Sequence, residues 1–164
     1  MKITITIFYT IIVAFIFVNV ERIFFAYLYS IIFAFLTYFL CRNSLSFNKK
    51  NLALLASQIM FLILTEGIHG ADALSLVCFF YCLFFLLNYF VGKSAEQVFA
   101  FNLFTQLIIS LKSCSDIKYI SVWDGEGIGF ANVELVFLLL CGMIISVILI
   151  CLKEKKLNCV KKQK

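Results

Sequence analysis

The chain contains no proline among its 164 residues. Its helices are therefore not kinked by a missing backbone donor, and straight helices are favoured. It has one histidine, His69, which speaks against a catalytic zinc site, since such a site takes several nitrogen or sulfur ligands. Charged residues make up only 14% of the chain and seven cysteines show no CxxC spacing. Neither a redox motif nor a zinc knuckle is indicated. Cys41, Cys78, Cys82, Cys141 and Cys151 fall in or at the ends of apolar runs and read as small hydrophobes. Intramembrane hydrolysis needs clustered acidic, histidine or serine–histidine chemistry, and a quinone-linked thiol oxidase needs reactive cysteine pairs. Neither pattern stands in the sequence, so no catalytic residue, cofactor or metal site is assigned and an enzyme is not expected.

What the chain does have is apolar surface. It is 63% hydrophobic with 20 Phe, where a soluble domain carries about 45–50% apolar residues. A small domain cannot hide that excess in its own core, so it must face lipid. The last run, Val133–Cys151, is almost unbroken and long enough to cross a bilayer, which takes about 20 residues. Six lysines follow within twelve residues: Lys153, Lys155, Lys156, Lys161, Lys162 and Lys164. Basic flanks are retained on the cytoplasmic side during insertion, so the C-terminus is placed inside.

The expected architecture is an all-α polytopic bundle of six short transmembrane helices. Residues 1–152 form the membrane domain, with spans at 3–18, 23–40, 52–66, 73–91, 98–111 and 133–152, and 153–164 form a basic cytoplasmic tail. Lys2 resembles the start of a signal peptide, but FVNVERIFF offers no small-x-small cleavage site, so the first run is read as retained. Residues 98–111 are the weakest span, short enough to be re-entrant. Lys112–Asn132 reads as the longest polar segment. With both termini inside, eleven of the 14 basic residues fall on the cytoplasmic side, as the insertion rule requires. Four crossings, with one hairpin failing to span, keep the same orientation.

Several residue groups are candidates for function. Asn102, Thr105, Gln106 and Ser110 form a polar stripe on the fifth run, with Asn88 on the fourth in the same situation. Lipid cannot satisfy such side chains, so they face other helices or a wet cavity. The stripe reads either as interhelical hydrogen bonding or as a pore lining or subunit contact. Ala26, Ser30 and Ala34, and Gly142 with Ser146, are small residues spaced four apart. They allow close helix approach, within the protomer or between copies. The outer loop carries Trp123, Asp124 and Glu126 in WDGEGIG, a weak candidate for sensing. Glu66, His69 and Asp72 around GIHG read as a solvated turn. Arg42, Lys49, Lys50, Lys153, Lys155, Lys156, Lys161 and Lys162 would attract anionic headgroups, at roughly 1 kcal/mol per charge. They would also suit a cytosolic protein. No direct nucleic-acid binding is expected, because the basic residues flank hydrophobic runs.

In overall form the chain resembles the membrane subunit of the Kiwa anti-phage defence system, KwaA: Phe-rich and polytopic, with Lys-flanked spans, one modest outer loop and a short basic tail. The resemblance carries over no individual functional residue. It implies a homo-oligomeric bacterial inner-membrane sensor of phage attack, embedded in the lipid bilayer, that recruits a cytosolic effector, KwaB. It also implies four crossings where the runs read as six. Small immunity proteins against pore-forming colicins, conjugative entry-exclusion proteins and small channel or transporter subunits share this size and hydrophobicity.

Overall fold

A computed structural model of the chain describes residues 1–19, 23–46, 48–65, 71–123 and 128–163, with the backbone alone for 23, 71–74, 116–123 and 128–133. These residues form six helices: α1 (Lys2–Asn19), α2 (Ile23–Cys41), α3 (Lys49–Thr65), α4 (Ala71–Val91), α5 (Ala95–Trp123) and α6 (Ile128–Lys162). No strand occurs among the described residues.

Two helices depart from the expected limits. α5 has 29 residues and runs well past Leu111, through much of the segment read as a polar loop. The reason is that Lys112 and Ser113 are buried against other helices, so their polarity does not mark an exit to water. α6 begins at Ile128 and continues to Lys162, so the basic tail is helical. Lysine is a good helix former, and cations at a helix C-terminus complement its dipole. Four helical stretches are long and apolar enough to cross a membrane: Lys2–Asn19, Phe24–Cys41, Ala95–Ser115 and Glu134–Lys162. The fifth run, expected to be the weakest, is thus one of the four, while α3 is not.

α5 is the axis of the bundle and packs against every other helix. Within Ala95–Ser115, 83% of the residues are buried, against 28–39% in the other three long stretches. Around α5 the neighbours run α2, α1, α6, α4, α3, and the two ends of that series do not meet among the described residues. Aromatic rings close the seams. Phe61 on α3 packs against Phe80, Tyr81 and Phe84 on α4 at centroid distances of 4.6, 5.8 and 5.7 Å. Tyr9 on α1 meets Phe33 edge-on at 5.5 Å and shares a 2.6 Å hydrogen bond with Thr37 Oγ1.

The α4–α5 turn shows how local sequence sets the geometry. The Gly92 N–H donates to Asn88 O at 3.0 Å and ends α4. Ser94 Oγ accepts from the Gln97 N–H at 3.2 Å, while Gln97 Oε1 accepts from the Lys93 N–H at 2.7 Å. This is a reciprocal cap on the first turn of α5, close to the capping-box pattern. A Cβ on Gly92 would lie 3.0 Å from both Val98 N and Asn88 O and 2.7 Å from Val98 Cγ2. Backbone atoms cannot swing aside, so Gly92→Ala is expected to cost about 1–3 kcal/mol. A lowered thermal midpoint in detergent is the check.

Candidate functional site

The bundle has its polarity inverted. Phe15, Phe24, Phe35 and Phe90 are 68–74% exposed, while Asn88, Asn102, Thr105, Gln106 and Ser110 are fully buried. The polar residues converge on one side of α5. Asn88 Nδ2 on α4 donates to Asn102 Oδ1 at 3.1 Å and to Thr105 Oγ1 at 2.8 Å. Gln58 Nε2 on α3 donates to Asn88 Oδ1 at 3.2 Å and to Thr105 Oγ1 at 3.1 Å. Thr105 in turn donates to Phe101 O at 3.0 Å. Three amides from three helices thus form a chain around one hydroxyl. On the α1 side, Thr10 Oγ1 lies 2.8 Å from Gln106 Oε1 and 2.9 Å from Thr6 O, its single hydrogen serving the two acceptors in turn. Ser110 Oγ donates to Gln106 O at 2.9 Å.

The network is not closed. Gln58 Oε1, Asn102 Nδ2, Gln106 Nε2 and Ser113 Oγ are buried without a hydrogen-bond partner. Further along α5, Lys112 is only 4% exposed, and its Nζ donates to Thr65 O at 2.8 Å. Thr65 is the last residue of α3, so the ammonium caps a carbonyl that the helix end leaves without an internal partner. Toward the start of α5 the neighbouring Val98, Phe99 and Phe101 are apolar and buried.

The other candidates separate by position. Ala26 and Ser30 are buried against α5, where Ser30 Oγ and Cys114 Sγ lie 2.8 Å apart and Cys114 Sγ donates to Ala26 O at 3.4 Å. Ala34 is partly buried against the same core. Gly142 and Ser146 face inward on α6. A Cβ on Gly142 would stand 2.8 Å from Phe85 Cζ of α4. These small residues therefore bring helices of one protomer together. Asp124 and Glu126 lie outside the described residues, as does the side chain of Trp123. Glu66 and His69 lie outside them too, as does the side chain of Asp72. Among the described residues, no group of three or more His, Cys, Asp or Glu is placed to hold a metal ion.

Apart from Lys112, the basic residues with described side chains gather at one end. Lys2 Nζ is 3.3 Å from Glu96 Oε1, tying the starts of α1 and α5. The pair is solvated and stabilises little. Gln97 Nε2 reaches Ser46 Oγ of the α2–α3 loop at 3.5 Å. Lys153 is partly buried: its Nζ donates to Tyr89 O at 3.1 Å and lies 4.9 Å from the Tyr89 ring centroid. The Arg42 guanidinium lies 5.8 Å from the Phe39 ring centroid. Lys49, Lys50, Lys155, Lys156, Lys161 and Lys162 are exposed. A hollow of about 370 Å³ opens between Lys2, Ser94, Glu96, Glu154, Asn158 and Lys161.

Of the polar core, the α5 stripe and Asn88 were marked by sequence, but Gln58, Thr6, Thr10 and Lys112 were not. Gln58 did carry a signal: a glutamine inside an otherwise apolar helical run must face inward. By sequence Lys112 reads as part of a loop, because its partner, a backbone carbonyl at the end of α3, leaves no trace in composition.

The fold and site define a class: an α-helical bundle with an apolar exterior, a hydrogen-bonded polar interior and one basic end. No family model, curated protein or solved structure matches the chain.

Proposed function

We propose that the chain is a multi-pass protein of the bacterial inner membrane, with all six helices crossing and both termini in the cytoplasm. In this reading it acts without catalysis, as a homo-oligomeric sensor or scaffold subunit that couples an event in the envelope to a cytosolic effector. The observation that carries the membrane placement is the inverted polarity. Helices α1, α2, α3, α4 and α6 all expose large apolar side chains, and α5 exposes none among its described side chains. In water so much contiguous apolar surface drives aggregation, whereas in lipid the same surface is solvated. α3 is short, at 17 residues or about 25 Å. A bilayer accommodates such a helix by local thinning.

The cytoplasmic assignment of the basic end follows the positive-inside rule, and the exposed lysines there support docking of an acidic protein surface. The place in an anti-phage defence complex of the Kiwa type rests on the resemblance in overall form. The test is a gentle-detergent pull-down from the native host. It compares the wild type with a variant in which Lys155, Lys156, Lys161 and Lys162 are replaced by glutamine, which leaves the bond from Lys153 to Tyr89 in place. A stoichiometric cytosolic partner, lost in the variant while the membrane protein still elutes as one species, is the expected result. Recovery of the membrane protein alone at every salt concentration would count against the reading.

One observation favours a second reading, a small channel or transporter subunit. Pore activity calls for polar side chains from several helices along one path, and α1, α3 and α4 all bring them to α5. Against it, the α5 residues next in line toward the basic end, Val98, Phe99 and Phe101, are apolar and buried. Ion flux in proteoliposomes, present or absent, separates the two.

A further inference from the structure

The ring of helices around α5 has one opening. α2 and α3 follow each other in the chain, yet among the described residues no Cα of one comes within 8 Å of a Cα of the other. The surface of α5 registers the gap. From Gln97 to Leu111 every residue is buried except Gln97, Phe104 and Leu111, which are partly buried. They recur every seven residues, and positions seven apart on an α-helix fall almost on one line along its axis. By helical period that line lies between the residues of α5 bonded to α2, Ala100 and Cys114, and those bonded to α3, Thr105 and Lys112. A slot thus runs between α2 and α3 with α5 as its floor.

The slot is narrow. A helix with its side chains is about 10–12 Å across, and an opening of that width would leave its floor exposed. Phe104 is instead partly covered, and its neighbours around the helix, Phe101 and Ile108, are 0% and 6% exposed. The walls are Ala34 and Leu55, both partly buried against the core. On α2, Phe33 faces α1, Ser30 and Cys41 face α5, and Ala34 stands on the flank beyond them. On α3, Phe61 faces α4, Gln58 faces α5, and Leu55 stands on the flank beyond. Ala34, Leu55 and Phe104 all lie about 10 Å along their helices from the basic end. One leaflet of hydrocarbon is about 15 Å deep. That level is within reach of an acyl chain, and the small Ala34 side chain leaves room for one.

The mouth of the slot is cationic. Arg42, Lys49 and Lys50 are exposed there, and the chain has no acidic residue between Glu21 and Glu66. The start of α3 adds the positive end of its dipole. Ser46, in the loop between Arg42 and Lys49, is tied to both neighbours: Gln97 Nε2 of α5 reaches its Oγ at 3.5 Å, and Asn51 Nδ2 of α3 donates to its O at 2.9 Å. We propose that one anionic phospholipid of the cytoplasmic leaflet occupies this slot. One acyl chain lies between α2 and α3 against Phe104, and the phosphate sits among Arg42, Lys49 and Lys50. Basic groups beside a groove between membrane helices on the cytoplasmic side hold such headgroups. The site rests on the membrane placement proposed above.

The test uses the full chain in phosphatidylcholine nanodiscs doped with a phosphatidylglycerol probe that carries a diazirine midway along one acyl chain. A phosphatidylcholine probe with the same chain is the reference, and labelled residues are mapped by mass spectrometry. The expected result is labelling of Phe104 and Leu55 that is about tenfold stronger with the anionic probe. Phe15 and Phe90, on the outer faces of α1 and α4, take both probes alike. Replacing Arg42, Lys49 and Lys50 by glutamine is expected to bring the two probes level at Phe104. Equal labelling of Phe104 by both probes in the wild type would overturn the site, as would a preference that survives the three replacements. Label at Phe15 and Phe90 with none at Phe104 would overturn it too, and is the result if a second copy fills the slot. Absence of label from Phe15 and Phe90 as well would overturn the membrane placement itself.

Discussion

Gly142→Leu is expected to destabilise the bundle by about 3 kcal/mol, the upper part of the range for overpacking a tight core. The first atom of the new side chain already meets Phe85 Cζ at 2.8 Å. Phe85 has little room to retreat, being 1% exposed. Relief therefore requires α4 and α6 to separate, and with them the contacts each makes to α5. Intrinsic helix propensity works the other way, since leucine is better than glycine by somewhat less than 1 kcal/mol. It does not offset the clash. Shortening the opposing side chain should: Gly142→Leu combined with Phe85→Ala is expected to lose much less stability than the sum of the two single losses. Unfolding in mixed micelles, run as a double-mutant cycle, measures that coupling. Additive losses would show that the two residues do not share a contact.

Asn88→Leu is the second large effect. Asn88 donates two hydrogen bonds and accepts one, linking Gln58, Asn102 and Thr105. Interhelical hydrogen bonds within membranes are worth about 0.6 kcal/mol each. Leaving one buried amide oxygen without any donor costs about 1–3 kcal/mol. Both routes lead to a loss of about 2 kcal/mol, or roughly thirtyfold in the unfolding equilibrium. Replacing the whole chain, Gln58→Met with Asn88→Leu and Asn102→Leu, removes the orphaned groups as well as their partners. That triple variant is expected to be more stable than Asn88→Leu alone. A triple variant weaker than the single one would mean that the polar core stabilises by the bonds it makes, and not by the penalty for breaking them.

How far the fold was legible depends on which solvent each polar residue meets. The starts and stops of α1, α2 and α4 follow from apolar runs bounded by charges or glycines, and the structure moves them by no more than two residues. At α5 the same logic failed, because Lys112 and Ser113 are polar yet buried. A run of hydropathy ends where such residues begin, whether they meet water or another helix. The candidate site was half legible for a related reason. Asn102, Thr105, Gln106 and Ser110 share one helix, so their spacing shows a common face. Gln58 and Thr10 complete the network from α3 and α1, at 47 and 96 residues' separation from their α5 partners.

The continuous α6 has a mechanical consequence. Thirty-five residues make a rod of about 52 Å, with no proline to hinge it. About nine residues run on beyond the level at which Lys153 is tied to Tyr89 O, roughly 14 Å of stiff helix that passes beside Lys2, Ser94 and Glu96. A partner gripping its lysines would be held at a set height and bearing, as on a mast. A tilt of about 10° at the opposite end would sweep the tip through roughly 9 Å. Small displacements at the far end of the bundle would then arrive among the lysines enlarged rather than damped.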